Sequence, residues 1–170
     1  MRFLALIGVL AILVAVGAAV FLFGGFYSVA GTAPDLSIVS SALIHVRQAS
    51  ISRHATDVPP MSLDDPAAIQ AGARAFATRG CVNCHGGPGA KWAKFSEGLN
   101  PSPPDLKEVV TGLQAPELFW VIKNGINMTG MPSFGPIGVP DPEIWSIAAF
   151  LKKLPNVSEQ DYRTWTAGTN

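Results

Sequence analysis

Cys81, Val82, Asn83, Cys84 and His85 place two thiols three positions apart, with an imidazole directly behind the second. One tight helical turn presents all three groups to the same side. Both sulfurs can then bond one flat partner while a ring nitrogen points at its centre. This is the attachment pattern of c-type haem, in which each thiol adds across a vinyl group and the histidine takes an axial position on iron. Two other chemistries use paired cysteines. A thioredoxin-like dithiol follows a buried strand, whereas residues 64–77, DDPAAIQAGARAFA, read as an alanine-rich helix with acids at its start. A zinc site needs further thiol or imidazole ligands nearby, and no Cys or His follows His85. The motif predicts one haem c, bound covalently through Cys81 and Cys84, with His85 on the iron.

The opposite face of the iron needs a second ligand, and beyond His85 the candidates are Met128 and Met131. Both lie in residues 123–134, KNGINMTGMPSF. Gly130 lets the backbone come close and Pro132 fixes the chain, so a loop can hold the Met131 thioether rigidly. Met131 is the predicted axial ligand. Met128 lacks both neighbours and is read as packing. Trp120 is open to two readings, a hydrogen bond to a haem propionate or a core aromatic on a helix. Lys91 and Lys94, beside Trp92, could form a docking patch but read more simply as a solvated loop. His45 and His54 read as ordinary polar helix residues.

The elements that position these groups can be read from the rest of the chain. Its 170 residues suit one domain plus an attachment. Lys+Arg and Asp+Glu both number 12, so no basic excess exists to hold a phosphate backbone, and nucleic acid is excluded as a partner. No charge occurs between Arg2 and Asp35. Phe3 to Phe23 is apolar throughout and, as a helix, spans about 31 Å, the hydrocarbon thickness of a bilayer. It exceeds the roughly 7–15 apolar residues of a cleaved signal peptide, so residues 1–27 are predicted to be a retained transmembrane anchor. Arg2 precedes it and the next basic residue is Arg47. The positive-inside bias then leaves the amino terminus cytoplasmic and exports the remainder. Phe26 and Tyr27 would sit at the outer interface.

Residues 34–60 are predicted as an amphipathic helix followed by a linker. Asp35 is the candidate N-cap, and Leu36, Val39, Leu43 and Val46, widened by Ile44 and Ile51, form the apolar stripe. Pro59 and Pro60 end it. Pro116 and Glu117 start a helix that Gly125 ends, and Asp141, Pro142 and Glu143 start another that runs to Leu154. Residues 61–160 are predicted as the haem domain and 161–170 as a tail.

Taken in order, these pieces resemble a class I, monohaem c-type cytochrome with an amino-terminal membrane anchor, over residues 62–160. The pieces are Gly72 and Phe76, CVNCH, Pro103-Pro104-Asp105-Leu106, the 117–125 helix, the TGMP loop and a last helix around Trp145. The resemblance implies an all-α, haem-wrapping fold. It also implies a crossing of the first and last helices, with Gly72 and Phe76 against Trp145 or Ala149. A proline carbonyl orients the proximal imidazole in that family, and Pro104 matches best, ahead of Pro101 and Pro103.

His/Met ligation fills both axial positions and favours the reduced state, so the expected role is a one-electron carrier rather than an enzyme. The chain is expected to work at the periplasmic face of a bacterial inner membrane as part of a larger redox complex. It would relay electrons between a dehydrogenase or quinol-oxidising complex and a terminal oxidase or another cytochrome. The alternative is a haem-based sensor or peroxidase-like protein with a displaceable Met131.

Overall fold

The computed structural model describes residues 2–33 and 35–168. The first residue of the expected anchor, Pro34, and the last two residues of the expected tail lie outside the described residues. All regular structure among the described residues is helical, apart from one isolated antiparallel bridge between Gly87 and Ala90.

The chain divides into two units at Pro34. In the first, the uninterrupted apolar run forms α1 (Arg2–Phe23), 22 residues long with no buried residue. With a mean hydropathy of 2.9 across its most apolar window, it is long and apolar enough to cross a membrane. Its last turn is followed by an edge-on contact of Phe21 with Tyr27, centroids 6.4 Å apart.

The second unit begins with α2 (Ser37–His54). Asp35 does not cap it: Leu36 holds the N-cap position, and the Asp35 carboxylate instead accepts a hydrogen bond from Asn100 Nδ2 at 3.4 Å. The apolar stripe is left uncovered by the rest of the chain. Leu36, Val39, Leu43, Ile44 and Val46 are exposed, as is Ile38 across the helix, and only Ile51 is buried. Docking is confined to its last turns.

The core is made by α3 (Pro66–Thr78), α6 (Ala115–Asn124) and α7 (Asp141–Lys153). Asp65 starts α3, its carboxylate accepting from Ala67 N at 3.0 Å, with Pro66 in the first turn. At the far end, the Arg79 guanidinium donates twice to Glu143, at 2.7 and 3.1 Å, pinning the exit of α3 to the start of α7. Helix α7 is the central element: every residue from Ile144 to Leu151 is buried. It crosses α3 at Gly72, where an added Cβ would lie 1.9 Å from the Ser146 carbonyl oxygen and 2.9 Å from Phe150 Cβ. At Gly72 the crossing therefore meets Ser146 and Phe150 rather than Trp145. Phe76 meets Phe150 at 5.4 Å, while Trp145 faces the other way and stacks on Phe119 of α6 at 4.1 Å.

Helix α6 carries a reciprocal cap between Gln114 and Glu117 and ends at Gly125. Beyond α7, residues 161–165 are not a tail. They belong to α8 (Glu159–Trp165), started by Ser158, whose hydroxyl accepts from Asp161 N at 3.0 Å. Its Tyr162 is buried and stacks on Phe150 at 5.8 Å. An amphipathic turn after a proline-interrupted segment is enough to bring the chain back onto the core.

Candidate functional site

Gly80, at φ 79, reverses the chain after α3 and delivers it straight into α4 (Cys81–His85), a single turn. Gly86, at φ 65, then releases it. The loop beyond is tied back by Ala93 N, which donates to Asn83 O at 2.8 Å. Cys81 and Cys84 are unpaired thiols, each half-buried. Burial pushes the Cys81 thiol up to about 12, with the neighbouring Cys84 adding to the shift. Both sulfurs thus leave one turn of helix beside His85.

His85 is half-buried and its Nδ1 stands 3.1 Å from the Pro104 carbonyl oxygen. A carbonyl only accepts, so Nδ1 carries the proton and Nε2 presents its lone pair. Burial lowers the imidazole pKa, and the Pro104 carbonyl opposes this more weakly. The result is a neutral, oriented ring, the form that binds a metal. Pro104 is held in turn by its neighbour, because the Asp105 carboxylate accepts from Lys107 N at 2.8 Å and starts α5 (Leu106–Val109). A cavity of about 250 Å³ opens against Cys84, His85, Trp92, Pro103 and Pro104.

Met131 does not line that cavity. It packs, half-buried, against the same hydrophobic cluster that Cys81 and Val82 border. Its backbone is held on both sides. Met131 N donates to Thr129 Oγ1 at 3.1 Å, Met131 O accepts from Ile126 N at 3.2 Å, and the Thr129 hydroxyl donates to Ile126 O at 2.7 Å. Gly125, at φ 68, makes this loop possible: an added Cβ would lie 2.8 Å from Met131 O, Pro132 C and Ser133 N. Met128, by contrast, is 79% exposed at a φ of 58.

Trp120 stands on the side of α6 that meets α2, its ring stacked on His54 at 6.0 Å. Next to it Ser52 donates to Glu117 Oε1 at 2.6 Å, so the carboxylate that caps α6 also receives α2. Lys94 pairs with Glu97 rather than standing free. Lys152, near the end of α7, reaches across to a neighbouring segment. Its ammonium donates to Val110 O at 3.3 Å and Leu113 O at 2.8 Å, clamping the segment after α5 onto α7. Thr129 and Lys152 are the supporting residues that spacing does not reveal. A hydroxyl two positions before Met131 is the only hint of the first.

Among the described residues no cluster of three or more His, Cys, Asp and Glu side chains could hold a metal ion unaided. The donor set suits an iron porphyrin instead: two unpaired thiols, a neutral imidazole with Nε2 free, and a thioether on a rigid loop.

Residues 67–151, half of the chain, match the family model described as cytochrome c oxidase, cbb3-type, subunit III. No curated protein and no solved structure is significantly similar to the chain.

Proposed function

The chain belongs to the cbb3-type cytochrome c oxidase subunit III family, and from that premise we propose that it is a membrane-anchored monohaem cytochrome c working inside a larger respiratory complex. The family binds covalent haem c, and the bound group supplies a one-electron couple. In this reading Cys81 and Cys84 form the two thioethers, and His85 and Met131 take the axial positions. The observation that carries it is the hydrogen bond from His85 Nδ1 to the Pro104 carbonyl, which fixes the tautomer and aims Nε2 away from the backbone.

The chain's own residues then have defined tasks. Gly80 and Gly86 set the turn that holds both sulfurs, and Pro104 steers the imidazole. Gly125, Thr129 and Pro132 hold Met131 without needing a disulfide or metal of their own. With both axial positions filled, substrate has no place to coordinate, so the role is electron carriage. Helix α1 serves as the single-pass anchor, with the amino terminus cytoplasmic and the haem domain periplasmic. The family's name supports a place beside an oxidase. The electron source is proposed to be a dehydrogenase or quinol-oxidising complex, with the oxidase or another cytochrome as acceptor.

Potentiometric titration of the matured chain should give a single one-electron wave, and the oxidised protein should show the far-red sulfur-to-iron absorption. Ready binding of cyanide or carbon monoxide, without that band, would favour the sensor or peroxidase-like reading. Purification in mild detergent should recover other redox subunits in fixed ratio.

A further inference from the structure

Helix α2 is inverted relative to an ordinary surface helix. Between Ser37 and Ser50 the residues that are partly covered are Ser40, Arg47 and Ser50, all polar. The large apolar side chains of the same stretch are exposed, Ile38 at 77% and Val46 at 62%. Val39, Ala42, Leu43 and Val46 lie three and four positions apart and are all exposed, so they form a continuous apolar strip. Polar contacts tie down both ends of the segment. Asn100 Nδ2 donates to Asp35 at 3.4 Å ahead of the helix, and Ser52 donates to Glu117 at 2.6 Å in its last turn. Rolling the helix to turn the strip inward would break both. Water is a poor neighbour for such a surface, and a contiguous apolar patch marks contact with a partner or a membrane.

Two observations select a lipid surface as the occupant. The first is connectivity: α1 is long and apolar enough to cross a membrane, and residues 24–36 alone join it to α2. Fully extended, that tether reaches on the order of 45 Å, which keeps α2 in the zone next to the bilayer whenever α1 is in it. The second is charge. Helix α2 carries Arg47 and Arg53 and no carboxylate. Neither guanidinium has an ion-pair partner among the described residues. Uncompensated cations beside an apolar strip suit anionic headgroups above acyl chains.

We propose that α2 is a second membrane contact, lying on an anionic leaflet with Val39, Leu43 and Val46 in the interface and its arginines at the phosphates. The inference rests on the reading of α1 as an anchor. Because Ile51, Ser52 and His54 hold the last turns of α2 to the haem domain, the contact fixes that domain's orientation at the surface instead of leaving it to swing on a tether.

The test uses the full matured chain, with its haem reduced, reconstituted alone into vesicles of phosphatidylcholine and phosphatidylglycerol. A nitroxide is placed on Leu43→Cys or Val46→Cys, and on Gln160→Cys of α8 as a reference, since Gln160 is exposed. The α2 labels should be relaxed severalfold more by oxygen, which concentrates in lipid, than by a water-soluble nickel chelate, and the Gln160 label should show the reverse. The oxygen preference should fall in vesicles of phosphatidylcholine alone; an unchanged preference overturns the role of the arginines. A chain that floats with the vesicles, yet has α2 labels as open to the chelate as Gln160, overturns the inference and leaves α1 as an anchor. A chain that stays in the aqueous phase overturns both. Spin–spin broadening that vanishes on dilution with unlabelled chain assigns the strip to a second copy and overturns the lipid assignment. Chelate access that is lost only when co-purifying redox subunits are added assigns it to a protein partner and overturns it likewise.

Discussion

Gly72 and Ser146 touch through their backbones: the space a Gly72 side chain would need is taken by the Ser146 carbonyl, 1.9 Å from the ideal Cβ position. Neither helix can move aside cheaply, since Arg79–Glu143 pins one end of the pair and Phe76–Phe150 fills the crossing. Gly72→Ala should therefore force α3 and α7 apart at a cost of about 3 kcal/mol, the upper part of the usual overpacking range. Urea unfolding of the matured chain measures it, and a variant as stable as wild type would show that the helices do not meet at this point.

Gly125→Ala should damage the site rather than the core. Its backbone, at φ 68 and ψ −171, lies in a region that only glycine occupies comfortably, which costs of order 1–3 kcal/mol for another residue. The new methyl would also press on Met131 O and Pro132. The expected result is loss of the far-red absorption together with reduced stability, whereas a stability loss alone would separate the loop from iron ligation.

The two methionines should respond in opposite ways. Met131→Ala is expected to abolish the far-red band and lower the potential. Met128→Gly should keep both and gain about 1 kcal/mol, because an exposed residue leaves the left-handed region to glycine. Spectra and thermal unfolding of the pair decide the ligand.

Glu117 joins two elements through one carboxylate, accepting from Gln114 N at 2.9 Å and Ser52 Oγ at 2.6 Å. Glu117→Ala should cost about 1 kcal/mol through the lost cap. It should also raise amide exchange across residues 47–54 more than in α7. Unchanged exchange there would mean that the His54–Trp120 stack holds α2 alone.

Alkaline pH gives a further check. Burial, with Cys81 adding to it, holds the Tyr162 phenol above its ordinary value of 10.0. The unfolded chain ionises this group first, so its contribution to stability is fully present below 10.0 and is lost as pH rises through the folded-state value. Once Cys81 is a thioether, burial alone keeps the direction. Urea midpoints on either side of that pH should fall less steeply for Tyr162→Phe than for wild type.

The parts of this fold that can be read from the chain are those where covalent or backbone chemistry dictates local spacing. The CVNCH turn, the Asp65-Pro66 start of α3 and the Pro116-to-Gly125 limits of α6 are of that kind. The parts that escape reading depend on long-range geometry. Gly72 announces a close approach, but its partner is a main-chain carbonyl, which has no sequence signature. Helix α2 docks through Ser52, His54 and Ile51, a short and mostly polar contact that hydrophobic periodicity points away from. Tyr162 reads as part of a tail because one buried aromatic in a seven-residue helix makes no periodic pattern. Ser158 three residues ahead of Asp161 is the signal of a helix start that could have been used.

The central claim is that one haem is bonded to this polypeptide through Cys81 and Cys84. Intact-mass spectrometry of the denatured full chain, after acid-acetone extraction, tests it most directly. The predicted result is a mass raised by one haem, with no thiol left to alkylate and the increment abolished in a Cys81→Ala, Cys84→Ala double variant. A chain at its polypeptide mass, with two alkylatable thiols, would contradict the account.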